Sequence, residues 1–391
     1  MKILFVIENY LPHIGGVEVV FRNLAEELAK RGHTATIVTH RLPGTAAEET
    51  INGVKVKRVS CFGSRYLFTF FSIPAAVAAA KNADIVHTTT FNGFFPAWVA
   101  AKLAGKPLIA TIHEVWLGKW REYGGMSWAT APLYEIFERL LIYSLPSVDK
   151  YVAVSNSTLQ QLLKVGKKNS ATIYNGLDYS HFNPKKHNGK KIRQKYGLQK
   201  DYALLVYGRP GSSKGIEYAI TAMKEIKQRI PNAKMMLMLS RGQQYRKKYA
   251  ELMKLAEKLD LGKAIIEAGP ARYNELPDYI ASADCVIVPS LSEGFGYTAA
   301  EAAAMGKPII ASSTTSLPEV VSGKHILVKP KDSHEIAAAV DNMRNGKCRR
   351  TPLRKFTIEQ NVSGYLKAYN ELLNRRPAAN TRQHDNCSGS S

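Results

Sequence analysis

The chain has 391 residues, 45% of them hydrophobic, which is ample for two ordinary domains with complete cores and excludes a largely disordered protein. Its formal net charge of +22 sits mostly in the second half: residues 1–180 carry 19 basic and 13 acidic side chains, the remainder 35 and 19. The four cysteines, Cys61, Cys285, Cys348 and Cys387, form no C-x-x-C pair, which argues against a disulfide framework or a cysteine zinc site and fits a reducing cytoplasm.

Residues 2–7 (KILFVI) are a short apolar run expected to form a buried parallel strand. Followed at once by Glu8 and Asn9, the run is too short for a secretory signal. The turn Pro12-His13-Ile14-Gly15-Gly16 leads into a helix with apolar positions Val17, Val20, Phe21, Leu24, Ala25 and Leu28, ended by Gly32, and residues 34–39 complete a βαβ unit. Gly15 and Gly16 allow close backbone approach where a strand feeds a helix; a phosphate or sugar could use this, and so could a plain tight turn. Residues 84–88, 94–103 and 107–112 repeat strand, helix and strand. No apolar run reaches membrane-spanning length, because 94–110 is interrupted by Lys102, Gly105, Lys106 and Pro107. His113 and Glu114 then stand at the carboxyl end of a parallel strand, where open α/β sheets bind ligands; a histidine bonded to backbone is the alternative. Residues 116–143 concentrate Trp116, Trp120, Trp128, Tyr123 and Tyr134. Such density suits an acceptor surface or an interfacial membrane helix, while Phe137, Leu140 and Leu141, at helical spacing, are expected to pack in the core. Residues 151–155 form another buried strand with Ser155 as the next helix's cap. At Asn175-Gly176 the chain turns and its composition becomes polar and Lys-rich, so the first domain is taken as residues 1–180.

The second domain, residues 181–355, opens with strand 202–207 and the loop Gly208-Arg209-Pro210-Gly211-Ser212-Ser213-Lys214-Gly215. Arg209 and Lys214 can close around a diphosphate, one as a planar fork and the other as a point charge. This is no P-loop, since Lys214 is followed by Gly. Strands 235–239 and 264–267 and the turn Gly269-Pro270-Ala271 lead to an apolar strand at 285–288 and the string PSLSEGFGYTAAEAAAMGKPIIASSTTSLPE, residues 289–319. Its helix, 297–304, starts with free N–H groups at Gly296, Tyr297 and Thr298, a ready anion site. Glu293 and Glu301 flank that site. Two carboxylates would repel a phosphate, so they are aimed at hydroxyls on either side of it, as a nucleotide sugar requires; the alternative is a solvated Glu301 with Glu293 complementing the helix dipole. A helix at 356–374 follows, and residues 375–391 are polar and expected to fray.

Glu293-Gly294-Phe295-Gly296, Glu301-Ala302, Gly306-Lys307-Pro308 and Pro318-Glu319, in this order, resemble the E-x7-E segment of glycosyltransferase family 4, and the resemblance extends over nearly the whole chain. It implies the GT-B arrangement: an α/β chain with two Rossmann-like, doubly wound parallel-sheet domains facing across a cleft, the last helix crossing back to the first domain. By the same resemblance Glu293 contacts donor-sugar hydroxyls, Glu301 the ribose, and the helix start at Phe295, Gly296, Tyr297 and Thr298 the diphosphate. Arg209 and Lys214 bind the leaving diphosphate, and His113 is directed at the donor sugar. Gly16, with Gly15 beside it, borders the donor pocket, and Ala271 lines the nucleobase pocket. Three departures stand out: Thr315-Ser316 where a Gly-Gly pair is usual, Glu114 for Asp, and Pro210 for Leu.

The implied activity is retaining transfer of a hexose from a UDP- or GDP-sugar to a lipid-linked or glycan acceptor. No cofactor or metal is expected, since no Asp-x-Asp pair is present. A nucleotide-sugar epimerase or a non-catalytic binding scaffold are the alternatives; a dehydrogenase would need G-x-G-x-x-G after its first strand. The basic runs lack interleaved aromatics apart from Tyr245 and Tyr249, so nucleic acid is not an expected partner. An anionic membrane surface would also benefit from the same charge, so the protein is expected in the cytoplasm, either soluble or peripheral at the inner membrane face.

Overall fold

The computed structural model describes residues 1–375 other than Ile14, Gly125 and 145–147, so the expected tail lies, beyond Arg375, outside the described residues. Eight strands form the first sheet: β1 (Lys2–Val6), β2 (Thr34–His40), β3 (Glu48–Ile51), β4 (Val54–Val59), β5 (Ile85–Thr89), β6 (Leu108–Ile112), β7 (Lys150–Ala153) and β8 (Ser170–Thr172). Seven form the second: β9 (Tyr202–Gly208), β10 (Ala233–Leu239), β11 (Ile265–Glu267), β12 (Cys285–Val288), β13 (Ile309–Ser312), β14 (Gly323–Val328) and β15 (Arg349–Thr351). Their orders are β3-β4-β2-β1-β5-β6-β7-β8 and β11-β10-β9-β12-β13-β14-β15. Pairing is parallel except at one edge of each sheet, β3 with β4 and β14 with β15.

Central strands such as β5, β6, β12 and β13 are buried at every residue, because helices cover both faces and leave no side for polar alternation. The edge differs. β4 alternates buried and exposed, and β3 exposes Glu48 and Glu49, joined to β4 through Asn52-Gly53 with both φ angles positive. In each sheet the chain reverses its direction of growth once, between β1 and β5 and between β9 and β12. The crevices outside the carboxyl ends of those strands are where such sheets take ligands.

The Ile358–Asn374 helix begins at a capping box of Thr357 and Gln360. It buries Val362, Tyr365 and Tyr369 in the first-domain core, where Tyr365 Oη lies 2.8 Å from Thr111 Oγ1 and Tyr369 Oη 2.7 Å from His87 Nδ1. The chain's end therefore belongs to the first sheet.

Side-chain contacts also join the two halves. The Glu319 carboxylate accepts the N–H groups of Asn156 (3.0 Å) and Ser157 (2.8 Å) and the Tyr174 hydroxyl (2.7 Å). A second-domain acid thus caps the first-domain helix Asn156–Lys164 at its positive end, beside the Ser155 cap.

One packing expectation is overturned. Phe137 and Leu140 are exposed, not in the core, and the side chain of Leu141 lies outside the described residues. The reason is Glu138: its buried carboxylate accepts Trp116 N–H (2.9 Å), Trp120 Nε1–H (2.7 Å) and Tyr143 O–H (3.2 Å), which turns the opposite, apolar face outward.

Candidate active site

Two second-domain loops meet at the β9/β12 crevice. After β9 the chain makes a tight turn at Ser212–Lys214 and enters the left-handed region at Gly215 (φ 57°). A Cβ there would lie 2.3 Å from the Pro289 carbonyl oxygen, so only glycine lets the loop sit against the residue leaving β12. That approach brings Lys214 Nζ to 2.7 Å from Glu293 Oε1, which also accepts Ser290 Oγ at 2.8 Å. Thr315 and Ser316 hold Glu293 from the other side: its N–H donates to Thr315 Oγ1 (2.9 Å) and its carbonyl accepts Ser316 Oγ (3.0 Å). The departure from Gly-Gly therefore supplies two hydroxyls that fix the backbone of the acid, with Thr315 itself at φ 45°.

The Tyr297–Ala304 helix starts from Gly296 at φ 94°, ψ 56°, without any side-chain cap. A Cβ on Gly296 would lie 2.9 Å from Leu317 Cδ2. The first-turn N–H groups of Tyr297 and Thr298 thus have no intrahelical acceptor, the condition for an anion cradle. Glu301 is not a solvated helix residue. It is 9% exposed and accepts the Tyr207 hydroxyl at 2.7 Å. Burial pushes its carboxyl up to about 7, and the Tyr207 bond holds it back in part.

The first domain supplies the facing wall. A Cβ on Gly15 would lie 2.4 Å from Glu18 Oε2 and 3.5 Å from Arg209 Nη1, and one on Gly16 3.9 Å from Tyr297 Cδ2, so this turn abuts both second-domain loops. The Arg209 side chain is exposed, and no hydrogen bond or ion pair joins its guanidinium to another described residue, while its carbonyl accepts the Gly211 N–H at 2.8 Å. His113 Nε2 is buried without a hydrogen-bond partner among the described residues, and desolvation pushes the ring down to about 4, so the imidazole is neutral near pH 7. The His113 carbonyl oxygen lies 1.9 Å from where a Cβ on Gly294 would stand, which seats the Glu293 loop directly under the histidine.

The sequence-named residues fall into a facing set, Gly15, Gly16, His113, Arg209, Lys214, Glu293, Gly296, Tyr297, Thr298 and Glu301, and two supporting ones. The Phe295 ring is buried 5.1 Å from Tyr297 and 5.2 Å from Phe356, so only its backbone is available to a ligand. Ala271 is half-buried against the same apolar cluster.

Two further acids stand at the site: Glu114, noted in the sequence beside His113 but given no contact of its own, and Glu8, which escaped it. Glu114 accepts Ser292 Oγ across the cleft, and burial pushes its carboxyl up. Glu8, at the β1/β5 crevice, accepts Asn92 Nδ2 at 2.6 Å and lies 3.5 Å from Arg65. Burial raises its carboxyl too, against the pull of Arg65. Its position, a carboxylate just after a buried strand, was a usable signal. Among the described residues no group of three or more His, Cys, Asp or Glu could hold a metal ion.

Two doubly wound domains with facing crevices, an uncapped helix start between two acids and a pair of cations define a GT-B enzyme. The Anabaena HepE structure in complex with UDP and glucose shares this fold, with a TM-score of 0.70 at 20% identity over 96% of this chain and 98% of that one. Residues 14–181 match the family described as Glycosyltransferase Family 4, and residues 188–375 that described as Glycosyl transferases group 1. The chain belongs to these group 1, family 4-type glycosyltransferases. An uncharacterized glycosyltransferase of Methanocaldococcus jannaschii is 29% identical over 88% of this chain and 89% of its own length. Alpha-monoglucosyldiacylglycerol synthase of Streptococcus pneumoniae is 26% identical over 87% and 77%.

Proposed function

We propose that the enzyme moves a hexosyl group from a nucleoside diphosphate sugar, UDP before GDP, to a lipid-linked acceptor, with retention of configuration and without a metal. The observation that carries this reading is the Lys214–Glu293 pair at the foot of an uncapped helix, with unpartnered Arg209 and neutral His113 close by. The HepE neighbour is described as a complex with UDP and glucose, which supports the donor class. A relative named for making a glucosyl lipid supports the acceptor class.

Breaking the sugar–phosphate bond puts negative charge on the departing diphosphate. Arg209, the Tyr297 and Thr298 amides and Lys214 would meet that charge; Lys214, with three donors, can keep Glu293 while taking a phosphate oxygen. Glu293 would then accept donor hydroxyls, and Glu301, seated among Tyr207 and the helix, the ribose. His113 adds no charge at neutral pH and would serve as a polar partner to the sugar. Glu293, engaged by Lys214 and Ser290, is poorly placed as a free nucleophile, which favours same-face attack assisted by the leaving phosphate. The Glu8–Asn92–Arg65 group stands on the acceptor side.

Nucleotide release from UDP- and GDP-hexoses, followed with and without a polyprenyl-phosphate or diacylglycerol acceptor and in the presence of EDTA, tests this. Acceptor-dependent, EDTA-resistant release of UDP with an α-linked product from an α-donor is expected. Sugar conversion without acceptor would instead indicate an epimerase, and binding without turnover a scaffold.

A further inference from the structure

The exposed large apolar side chains of this chain are unevenly placed. Leu133 (65% exposed), Ile136 (56%), Phe137 (42%) and Leu140 (56%) fall at i, i+3, i+4 and i+7, a continuous stripe along the Ala131–Glu138 helix and its continuation Arg139–Ser144. An ordinary surface helix turns such a stripe inward and its acids outward. Here the order is reversed, and the reversal is built: Glu138 is buried with three hydrogen-bond donors, so the helix cannot roll to bury the stripe without stranding an acid.

A second exposed element adjoins it. Phe62, Phe70 and Phe71 are exposed in residues 62–71, Phe62 edge-on to Phe71 at 5.6 Å and Phe70 to Phe95 at 6.4 Å. Burial raises the phenol of Tyr134 on the stripe helix, and Tyr66 of this element lies close enough to raise it further. The two segments thus form one apolar face. Around it Arg65, Arg121 and Arg139 are exposed, and neither Arg121 nor Arg139 has an ion pair with another described residue, while the neighbouring Glu122 is neutralised by Lys331.

From this we infer that the face docks on an anionic lipid bilayer, with the apolar stripe in the headgroup–acyl boundary and the arginines on the phosphates. Apolar side chains with basic residues at their margins fit this partner better than a second copy of the chain, since a basic chain of +22 repels itself. Among the described residues no helix is long and apolar enough to cross a membrane, so the contact is one of lying on the surface. The face also borders the cleft. Glu138 holds Trp116, three residues after His113, and Arg65 reaches Glu8 at the β1/β5 crevice. A lipid-anchored acceptor could therefore enter from the bilayer without leaving it; that last step rests on the transferase reading, whereas the docking does not.

Flotation with vesicles of phosphatidylcholine, alone or with a third phosphatidylglycerol, at low and high salt, tests the docking. The wild-type chain is expected to float with the anionic vesicles and to release as salt screens the arginines. Leu133→Ser/Ile136→Ser/Phe137→Ser should lower partitioning by about a hundredfold with unchanged melting, because these side chains support no core. Arg121→Glu/Arg139→Glu should lose the preference for anionic vesicles. A wild-type chain that does not float, a triple variant that floats like it, or a wild-type dimer that the triple variant dissolves would each overturn the inference, the last by making the face a contact between copies. Transfer to acceptor by a chain that does not float sinks the docking alone; flotation without transfer to any lipid sinks the proposed acceptor and leaves the docking standing.

Discussion

Glu301→Gln separates the electrostatics of the site from its shape. Unfolded, this carboxyl loses its proton near 4.5; folded, near 7, because burial disfavours the anion and only Tyr207 offers it a hydrogen bond. Between those values the folded chain holds a proton the unfolded chain has lost. Stability therefore falls as pH rises, by about 3 kcal/mol in all by pH 8. Gln keeps the Tyr207 bond and cannot ionise, so between pH 5 and pH 8.5 the variant should gain about 2–3 kcal/mol relative to the parent in urea denaturation. His113 and His87, pushed down by burial, change stability in the opposite sense: they contribute above the ordinary histidine range and lose that contribution as pH falls through their lowered values. Both proteins share them, so they cancel in the difference. If Glu301 meets the ribose as an anion, UDP affinity of the parent should also rise across pH 7, while the variant binds roughly tenfold more weakly and without that rise. Titration of the nucleotide itself is common to both. Parallel stability–pH curves, within about 0.5 kcal/mol, would refute the buried-acid argument.

Other perturbations probe the remaining parts. Arg209→Ala should keep the parent's melting temperature, since the side chain is exposed and unpaired, yet lower kcat about a hundredfold; turnover within about threefold of the parent would remove Arg209 from the mechanism. Gly294→Ala places a methyl group 1.9 Å from the His113 carbonyl oxygen, backbone against backbone, so the two domains must separate. Far-UV circular dichroism should stay unchanged while kcat/KM falls about a hundredfold or more, as expected for misplaced reacting groups, and a fully active variant would contradict the facing geometry. Glu319→Ala removes three acceptor contacts across the cleft and leaves a first-domain helix start without its acid. A loss of roughly 2 kcal/mol and a raised donor KM are expected, and unchanged values of both would show that the clamp does nothing in solution.

The alternation of strands and helices was legible because strands buried on both faces appear as unbroken apolar runs, and because Gly, Pro and Ser155 mark helix ends where the backbone demands them. The β3–β4 hairpin was also signalled, by Asn52-Gly53, but its polar edge strand gave no apolar run to notice. Helical spacing in residues 131–140 showed that one face would be apolar and could not show which way it points. Glu138 decides that through Trp116 and Trp120, some twenty residues away in the chain. Contacts across the cleft were beyond reach for the same reason: Glu319 and Asn156 are 163 positions apart, and no spacing rule links them.

The acids of the site divide by what surrounds them, and the division follows the work each is asked to do. Glu293 is tied to a cation and two hydroxyl-bearing turns, which fixes its carboxylate and backbone at the place the proposed reaction assigns to the junction of diphosphate and sugar. Glu301, Glu114 and Glu8 are instead raised by burial, which outweighs their polar donors and, at Glu8 and Glu114, the pull of Arg65 and Lys119. A buried acid of this kind gains most when a hydroxyl replaces the water it has lost, because the new donor stabilises an anion that the protein alone holds at a cost. Polar, uncharged ligand groups on both sides of a charged diphosphate are what such a pattern would select, and the sugar nucleotide of the proposed function would supply them in that order.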